Sequence, residues 1–565
     1  MPAAGAAPIR SLHSCPMRRT ARRIPAFLGA AAAALLAAAC DGGGTTPPQP
    51  LVPATRAPAA STDWWNGAVT YEVFVRSFRD SDGDGSGDLA GLVEKLDYLN
   101  DCNAPGSQAL GVDAIWLMPI FPSPSYHGYD VTDYTGVNPD YGTLADLDRL
   151  VAEAHARCIK VVLDWVPNHT SAQHPWFVES QAQGSARRDW YVWRSDNPGW
   201  GQPWGGGRTW YASGASYYYA VFWDQMPDLN WRNPAVATAI GDAAAGWLAR
   251  GVDGFRLDAV RYLVENGSGS GQQDQPQTHQ ALKGFSAGVR ALKPDAMVVG
   301  EAWADTPTIA TYYGSTSVQP AGDELTLNFD FPVSDAVVGA VSGGFATGVA
   351  AALDAVARAY PPGTGDAPFL TNHDQVRVAT RLGADPAKLR LAAAILLTLQ
   401  GSPFLYYGEE VGMQNGACGS DECKRTPMAW DGTPKGGFTA GTPWWPLSPG
   451  TSAANVSAQL ADPGSLLSRY RELIRVRKAS SALSRGGTER LPTEAAGVLS
   501  FLRTAPTETV LVAHNLGAAT VTQSVQGTAT ALDPILADLG ASATVGNGSV
   551  SFTLPPRGTG IWRLR

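Results

Sequence analysis

Residues 251–258 read Gly251-Val-Asp-Gly-Phe-Arg-Leu-Asp258, a short and largely apolar run that ends on a charged residue. Comparable runs recur along the chain, and stretches rich in Ala and Leu lie between most of them. The eight runs are residues 69–74, 114–118, 160–166, 254–257, 297–299, 325–329, 368–370 and 402–406. Strands that alternate with helices predict an α/β fold with a parallel sheet, and eight such strands predict a (β/α)8 TIM barrel.

Charged and polar side chains collect where several of these runs end. Because the active sites of parallel barrels lie at the C-terminal ends of the strands, this pattern predicts an enzyme rather than a structural support. The residues concerned are Asp164 and His169 for the third run, Arg256 and Asp258 for the fourth, Glu301 for the fifth, and His373 and Asp374 for the seventh.

The remaining segments are arranged around this barrel, which we place at residues 63–480. Residues 170–231, after the third strand, are rich in Trp, Tyr, Gly and Pro and show little helical periodicity, so we expect an inserted subdomain B over the barrel mouth. Residues 490–565 contain alternating strand patterns, such as 510–515 and 549–554, and predict a C-terminal antiparallel β-sandwich domain.

The first 39 residues have the pattern of a signal peptide. Arginines between residues 18 and 23 precede an apolar stretch, 26–39, that is too short to span a bilayer as a mature helix. The stretch ends Leu36-Ala-Ala-Ala-Cys40, which resembles a bacterial lipobox and implies acylation of Cys40; an ordinary signal peptide with an incidental cysteine is the alternative. Residues 40–62 are interpreted as a lipoprotein tether. We therefore expect an exported protein, periplasmic or at the cell surface, held at a membrane by its lipid alone.

Four cysteines follow the predicted tether: Cys102, Cys158, Cys418 and Cys423. An even number in an exported protein predicts two disulfides, for which three pairings exist. We expect Cys418 to pair with Cys423 within one loop. Cys102 would then pair with Cys158, and both precede strands that are neighbours in the predicted barrel.

Composition narrows the class of partner. Acidic residues outnumber basic ones by 51 to 42 and no basic stripe recurs along the mature chain, so a nucleic-acid partner is not expected. The 18 tryptophans and 18 tyrosines favour a carbohydrate ligand slightly, because flat rings stack on sugars but also fill cores. We expect a monomer.

The strand-end acids suit the hydrolysis of a glycosidic bond. That reaction needs one carboxylic acid to protonate the leaving oxygen and one carboxylate to meet the oxocarbenium-like centre. Arg256 and Asp258 are two residues apart and face the same side of a strand, so Arg256 is expected to hold Asp258 ionised and to lower its pKa. Glu301 follows an apolar strand, whose surroundings raise a carboxyl pKa and suit a general acid. Asp374 is the third carboxylate.

These segments resemble the signature regions of glycoside hydrolase family 13, the α-amylase family. The matching motifs occur in the family's order: Asp164-Trp-Val-Pro-Asn-His169, Gly254-Phe-Arg-Leu-Asp258, Gly300-Glu301 and Asn372-His-Asp374. The resemblance implies that Asp258 is the nucleophile, Glu301 the acid/base, and Asp374 the residue that holds sugar hydroxyls in the transition state. It implies that His169, Arg256 and His373 line the −1 subsite, and that the enzyme retains anomeric configuration.

Other motifs refine the resemblance. Met226-Pro-Asp-Leu-Asn230 resembles the motif of a group intermediate between oligo-1,6-glucosidases and neopullulanases. Ser125-Tyr-His-Gly-Tyr-Asp130 resembles a segment whose tyrosine, here Tyr129, stacks on the −1 glucose, and His127 and Arg261 are further candidates for substrate contacts. Relatives of the exo-acting α-glucosidase type carry aspartate at the position of Tyr126, which favours endo action here. Ala259 stands where 1,6-specific relatives have valine, which favours α-1,4 bonds.

The acidic loop Asp80-Ser-Asp-Gly-Asp-Gly-Ser-Gly-Asp88 places oxygen-bearing side chains at alternate positions, as calcium loops do. It is not an EF-hand, because the twelfth position is Gly91 rather than Glu. It resembles the first-loop calcium site of the oligo-1,6-glucosidase group, which implies Ca²⁺ ligands from the side chains of Asp80, Asp82, Asp84 and Asp88 and from the carbonyl of Ser86. A solvated acidic turn is the alternative.

The sequence thus predicts an α-amylase that cleaves internal α-1,4-glucosidic bonds of starch or maltodextrins through a covalent glucosyl-Asp258 intermediate. An α-glucosidase, a cyclodextrin or pullulan hydrolase, or an α-glucosyltransferase of the same family is the alternative. A non-catalytic sugar-binding member is disfavoured, because all three acids are present.

Overall fold

The computed structural model describes residues 53–102, 107–527, 529–538, 540–546 and 548–565. The predicted signal peptide, Cys40 and residues 40–52 of the predicted tether lie outside them. The strands are β1 (Thr55–Arg56), β2 (Thr70–Val73), β3 (Ala114–Leu117), β4 (Lys160–Trp165), β5 (Trp193–Arg194), β6 (Trp210–Ser213), β7 (Ser216–Tyr219), β8 (Gly254–Leu257), β9 (Met297–Gly300), β10 (Leu327–Asn328), β11 (Phe404–Tyr406), β12 (Gly487–Leu491), β13 (Val498–Ala505), β14 (Glu508–Asn515), β15 (Val521–Gln526), β16 (Leu532–Ala537), β17 (Ser542–Gly546), β18 (Ser549–Leu554) and β19 (Thr559–Leu564).

The α-helices are α1 (Val75–Phe78), α2 (Leu89–Glu94), α3 (Leu96–Leu99), α4 (Leu144–Ala156), α5 (Pro175–Ser180), α6 (Pro234–Ala249), α7 (Pro276–Leu292), α8 (Thr306–Thr311), α9 (Phe331–Gly343), α10 (Thr347–Ala359), α11 (Val378–Arg381), α12 (Pro386–Thr398), α13 (Val456–Leu460), α14 (Leu466–Ala479) and α15 (Ser481–Arg485). Several begin with a side-chain cap followed by proline. For example, Asn233 Oδ1 accepts from Ala235 N before α6, and Asp385 Oδ1 from Ala387 N before α12. This is a strong helix-start signal, because the cap satisfies an otherwise unpaired amide.

The barrel is a parallel sheet in the order β10-β9-β8-β4-β3-β2-β11. Two isolated parallel bridges, Phe329 with Ala367 and Phe369 with Phe404, close it into a ring. The seventh predicted strand, 368–370, therefore contributes only these bridges rather than a full ladder. The predicted (β/α)8 fold is confirmed.

Side chains alternate between the inside and the outside of this barrel. An apolar cluster of Trp116, Val162, Met297, Phe329 and Phe404 draws on five different strand positions. Their neighbours along the strands, such as Ile115, Val161 and Val298, belong instead to the larger core that includes the surrounding helices. Alternation with a period of two is what strands buried on both faces require.

The insertion after β4 contains α5 and a three-stranded antiparallel sheet in the order β5-β7-β6. Aromatic side chains hold it together: Phe177 stacks on Trp193 and meets Tyr218 edge to face. A bridge between His169 and Asp228 joins its two ends beside the barrel mouth.

Two antiparallel sheets form the C-terminal region, in the orders β1-β12-β13-β14-β19-β16 and β15-β18-β17. Leu511 and Trp562 of the first sheet share an apolar cluster with Val550 and Phe552 of the second. This is the predicted antiparallel β-sandwich.

One part of the predicted tether is structured. Thr55 and Arg56 pair with β12, Ala60 N donates to Gly363 O at 2.8 Å, and Arg56 Nη1 lies 2.9 Å from Asp366 Oδ2. Composition alone misled here, because the contacts are made by main-chain atoms and by a single buried arginine in a segment otherwise typical of a linker. Residues before 63 therefore pack against the barrel and the C-terminal sheet.

Both predicted disulfides are present, Cys102–Cys158 and Cys418–Cys423. The first joins the segments that precede the paired strands β3 and β4. Over the described residues we find no helix with the length and hydropathy that a membrane span requires.

Candidate active site

The predicted acids converge because their strands are neighbours. β4 pairs with β8 so that Asp164 lies opposite Arg256, and β8 pairs with β9 so that Leu257 lies opposite Gly300. Asp258 and Glu301 are the next residues along β8 and β9, and Asp374 follows the bridged segment at Phe369. All three acids therefore reach the C-terminal mouth of the barrel, where a parallel barrel places its chemistry.

Arg256 is fully buried and contacts three carboxylates. Its Nη1 lies 2.8 Å from Asp164 Oδ1 and 2.7 Å from Asp258 Oδ1, and its Nη2 lies 2.9 Å from Glu301 Oε1. The predicted contact between Arg256 and Asp258 is present. A planar guanidinium suits this arrangement, since its Nη1 donates charge-assisted hydrogen bonds to Asp164 and Asp258 while its Nη2 forms an ion pair with Glu301.

The pKa of Asp258 is raised to about 6, mainly by burial, with Asp164 and Asp374 adding to the increase. Arg256 acts in the predicted direction and lowers it, but does not offset the burial. The sequence-based expectation of a net lowered pKa is therefore wrong. The error arises because the spacing along a strand reveals the arginine but not how completely the site is enclosed.

Burial likewise raises the pKa of Glu301, to about 7, as expected for a general acid. Its Oε2 accepts from Ala259 N at 3.1 Å and its Oε1 from Trp303 Nε1 at 2.9 Å. Ala259 adopts a left-handed backbone with φ 52°, which turns its amide toward Glu301. A β-branched residue would be strained in that conformation.

Asp374 differs from the other two acids because cations flank it. Arg425 Nη2 lies 2.8 Å from its Oδ1 and His373 Nε2 lies 3.3 Å from its Oδ2. Burial alone would raise the pKa of Asp374, but His373 and Arg425 outweigh it and bring the pKa to about 2. Asp374 is therefore ionised at every pH well above 2.

Tyr129 and His373 belong to a chain of polar contacts that runs from Asp164 to Glu72. Tyr129 Oη is 2.6 Å from His373 Nε2 and 3.0 Å from Asp164 Oδ2, and the Tyr129 and His373 rings stack at 5.6 Å. His373 Nδ1 lies 2.6 Å from Glu72 Oε1. Burial lowers the pKa of His373, yet Asp374 and Glu72 more than compensate and raise it. This chain of contacts fixes the Tyr129 ring at the wall of the site.

A cleft of about 660 Å³ opens over these residues. Seven of the nine predicted catalytic and substrate-binding residues line it: Asp258, Glu301, Asp374, Tyr129, His127, His169 and Arg261. Arg256 and His373 lie behind the wall, fully buried. The guanidinium of Arg261 turns to Asp274, with Nη2 and Oδ2 2.5 Å apart, rather than projecting into the cleft as a free charge.

Several lining residues received no role from the sequence. Arg425 lies in the segment Lys424-Arg-Thr-Pro-Met428, which follows the eighth strand and resembles a family segment near the substrate cleft but was assigned no catalytic role. Trp204, Phe222 and Tyr262 pack together, with Trp204 stacked on Phe222 at 5.5 Å, and Trp303 contacts Glu301. The aromatic richness of residues 170–231 was the only sequence signal for Trp204 and Phe222, and no signal indicated Tyr262 or Trp303.

The acidic loop brings together three of its predicted metal ligands. Carboxylate oxygens of Asp80, Asp82 and Asp88 lie within 4.8 Å of one another. Asp84 is not part of this cluster, and its Oδ1 accepts from Ser86 N at 2.7 Å. In the described part of the chain, no ion pair involves the three clustered acids. Three unpaired carboxylates at this spacing fit a hard divalent cation such as Ca²⁺.

Two buried carboxyls held on one arginine, at the mouth of a barrel and beneath an aromatic cleft, define a glycoside hydrolase. The family model described as Alpha amylase, catalytic domain matches residues 72–486. Alpha-amylase 3 of Dictyoglomus thermophilum is 40% identical over 461 residues, which cover 80% of this chain and 85% of that protein. The oligo-1,6-glucosidase of Parageobacillus thermoglucosidasius is 34% identical over 522 residues, 80% of this chain and 90% of that protein.

Among solved structures, the α-amylase from H. orenii superposes with a TM-score of 0.78 at 37% identity, and the match covers 88% of this chain and 100% of that chain. The chain therefore belongs to glycoside hydrolase family 13, the α-amylase family. The resemblance read from its four strand-end motifs is confirmed.

Proposed function

We propose that the protein is an exported, retaining α-amylase that hydrolyses internal α-1,4-glucosidic bonds of starch or maltodextrins. The observation that carries the proposal is that three acids meet on one cleft, where Arg256 contacts Asp258 and Glu301 and Arg425 contacts Asp374. Neighbouring His373 and Arg425 lower the pKa of Asp374 to about 2, whereas burial raises the pKa of Asp258 to about 6 and that of Glu301 to about 7. A glycosidase needs this combination of carboxylate and carboxylic acid.

In the first step the Asp258 carboxylate attacks C1 of the glucose in the −1 subsite. The bond from C1 to the glycosidic oxygen breaks, and that oxygen takes the proton of Glu301 and leaves. In the second step the Glu301 carboxylate removes a proton from water, whose oxygen attacks C1 and releases Asp258. Asp374 binds sugar hydroxyls as the ring flattens, and Arg256 orients both reacting acids.

Endo action is supported by the residue at position 126. Tyr126 occupies the position of the aspartate that clamps a chain end in exo-acting relatives. Its ring stacks on Trp444 at 5.5 Å, and its hydroxyl accepts from Arg425 Nη1 at 3.4 Å. Tyr126 thus places an aromatic ring beside Arg425, which lines the cleft, at the position where those relatives carry a charged residue.

The preference for α-1,4 bonds rests on Ala259. This residue combines a left-handed backbone with a hydrogen bond to Glu301, so it lies directly beside the acid that meets the leaving oxygen. The methyl group leaves more room there than the valine of 1,6-specific relatives.

An α-glucosidase or glucosyl-transferring activity is the second candidate, favoured by the 34% identity to an oligo-1,6-glucosidase and by the packed aromatics Trp204, Phe222 and Tyr262. Such a surface suits a sugar acceptor that competes with water.

Product analysis distinguishes these activities. Starch, maltotriose, pullulan, isomaltose and sucrose are digested in parallel and the products are sized over time. An endo-amylase shortens starch rapidly to mixed oligosaccharides with the α-anomer first. Glucose as the sole early product would identify an exo enzyme, and oligosaccharides longer than the substrate would identify a transferase.

The proposal includes a calcium ion held by Asp80, Asp82 and Asp88. The ion would stabilise the loop between α1 and α2 and takes no part in the reaction. It also includes export and acylation at Cys40, which rest on the sequence pattern alone.

A further inference from the structure

The Cys418–Cys423 disulfide closes a short loop, and the two residues that follow it contact Asp374. We call residues 416–425 the disulfide loop. Its base is tied by a hydrogen bond from Gly416 N to Cys423 O at 2.7 Å. Cys423 is buried, whereas Cys418 is exposed. Asp421, between the two cysteines, lines the cleft.

Two cations at the end of this loop hold Asp374. Lys424 Nζ donates to the main-chain oxygen of Asp374 at 2.7 Å and to Asp421 Oδ1 at 2.7 Å. Arg425 Nη2 donates to the Asp374 carboxylate at 2.8 Å. Arg425 Nε also donates to His373 O at 3.1 Å. Both the backbone and the carboxylate of Asp374 are thus positioned by the two residues that follow Cys423.

The backbone at this point is anchored from the barrel side as well. Lys424 O accepts from Arg377 Nε at 2.8 Å and from Tyr406 Oη at 3.1 Å. The barrel therefore fixes one end of the disulfide loop. The exposed end, residues 417–421, is closed by the disulfide and by a turn in which Lys424 N donates to Asp421 O at 2.9 Å.

The other disulfide lies at the opposite end of the strands. Cys102 and Cys158 precede β3 and β4, so they lie toward the N-terminal face, away from the carboxyl-terminal mouth that holds the acids. It also closes a much longer segment, with a sequence separation of 56 rather than 5. In the chain-entropy picture, a cross-link over a longer loop stabilises a fold more.

We propose that the Cys418–Cys423 disulfide is a positioning element for Asp374, acting through Lys424 and Arg425, and that it makes the activity sensitive to thiols. The inference rests on the proposed hydrolytic function. Opening the bond frees residues 417–421, Asp421 leaves Lys424, and the two cations no longer hold Asp374 in one geometry. Because Asp374 serves the transition state, the loss falls on kcat more than on KM.

A dithiol reductant opens the bond in a balanced exchange. One thiolate attacks the exposed Cys418 sulfur, the S–S bond breaks, and Cys423 leaves as a thiolate that takes up a proton. The second thiol of the reductant then displaces Cys418 as a thiol, and the reductant is oxidised to its cyclic disulfide. Reoxidation restores the bond.

The test compares two matched double variants of the full chain, Cys418→Ser/Cys423→Ser and Cys102→Ser/Cys158→Ser, on a maltooligosaccharide. We expect the first to lower kcat about tenfold, with KM and the melting temperature little changed, since small misplacements at a reacting centre are costly. We expect the second to lower the melting temperature and to leave kcat near wild type at low temperature. Equal kcat in the first variant and the wild type would refute the proposal, whereas a wild type inactive on every α-glucan would refute the proposed function instead.

Two further measurements separate positioning from general damage. Lys424→Met is made alone and together with the Cys418→Ser/Cys423→Ser pair; if the disulfide acts through Lys424, the combined loss of kcat is smaller than the product of the separate losses. If the serine variants do not fold, mild reduction of wild-type protein replaces them, with thiol labelling to identify the opened bond. One portion of the reduced protein is labelled to identify the opened bond, and a second, unlabelled portion is reoxidised. Activity that falls as Cys418 becomes available to the label, and that returns in the reoxidised portion, supports the proposal. Full activity with Cys418 labelled overturns it, as do independent losses in the combined variant.

Discussion

Around Arg256 the site contains more acids than bases. Two arginines, Arg256 and Arg425, and one histidine with a raised pKa, His373, face five carboxyl groups: Asp164, Asp258, Glu301, Asp374 and Glu72. Since buried like charges repel, such a set keeps a proton on at least one acid. Burial is the main cause of the raised pKa values of Asp258 and Glu301, the neighbouring acids add to it, and Arg256 offsets only part of it.

The roles of Asp258 and Glu301 can be separated by amide variants. We expect Asp258→Asn to lower kcat by roughly 10³-fold or more, because an amide cannot form the covalent intermediate. We expect Glu301→Gln to lower it by about 10²–10⁴-fold on starch. A glucosyl fluoride, whose leaving group needs no proton, should restore the first step in Glu301→Gln but not in Asp258→Asn. Retention of more than about a tenth of wild-type activity by either variant would remove that residue from its role.

The pH profile follows from the same two acids. Below about pH 6 Asp258 is protonated and cannot attack, and above about pH 7 Glu301 has lost the proton it must donate. We therefore expect kcat/KM to fall on both sides of a narrow maximum between these values. As a control, the pKa of Glu301 in Asp258→Asn, measured by NMR or infrared titration, should lie below that in the wild type, because the Asp258 charge raises it. A plateau extending well above pH 8 would contradict the assignment.

At this scale the sequence revealed which side chains meet but not their full surroundings. Arg256 and Asp258 could be paired because both lie on one short strand. The segment of Arg425 could be expected near the cleft from its resemblance to a family segment, but its contact with Asp374 could not, because 51 positions separate the two residues.

Among the elements, the loop between α1 and α2 depends on hydrogen bonds to its own acids. Asp80 accepts from Gly83 N at 2.6 Å and Gly85 N at 2.8 Å, and Asp88 caps α2 by accepting from Gly91 N at 2.6 Å. Asp82 is exposed, and its carboxylate accepts from Asp84 N at 3.1 Å. Asp82 is therefore the clustered acid whose removal disturbs the loop least.

Calcium binding can thus be tested with a matched pair of variants. We expect calcium to raise the melting temperature of the chelated protein, by a stabilisation of about 2.7 kcal/mol at a hundredfold excess over Kd. Asp82→Asn should abolish this response, while Asp84→Asn should retain it, because only Asp82 belongs to the cluster. The low-temperature kcat should be unchanged in both. A melting curve insensitive to chelator, with no metal in the purified protein, would leave the loop a solvated acidic turn.

The barrel strands could be predicted from the sequence, whereas the short strand near the start of the described chain could not. Apolar runs flanked by helical stretches located β3, β4, β8 and β9 within one or two residues, because both faces of these strands are buried. The segment at Thr55–Arg56 was missed, because two residues that pair through main-chain atoms leave no periodic pattern.

At the scale of the whole molecule, that missed segment ties the barrel to the β-sandwich. Ala54 N donates to Asp354 Oδ1 at 3.1 Å, and Arg490 Nη2 lies 2.7 Å from Asp354 Oδ2. The carboxylate of Asp354, in α10, thus contacts both Ala54 and β12. The ordered catalytic unit includes residues that composition assigned to the tether, and any truncation that is meant to leave it intact must begin before residue 54.

Attachment to a membrane is the remaining prediction for the whole molecule. If Cys40 is acylated, the protein expressed with its full leader in a bacterial host should incorporate labelled fatty acid and enter the detergent phase on partitioning. Cys40→Ser should block labelling, whereas Cys418→Ser serves as the matched control that keeps it.

A chain beginning at residue 53 should remain in the aqueous phase with wild-type kcat, because it retains Ala54, Arg56 and every residue of the site. Unlabelled wild-type protein with a mature N-terminus other than Cys40 would show that the leader is an ordinary signal peptide. Loss of kcat in the chain that begins at residue 53 would show instead that the preceding segment contributes to the folded enzyme.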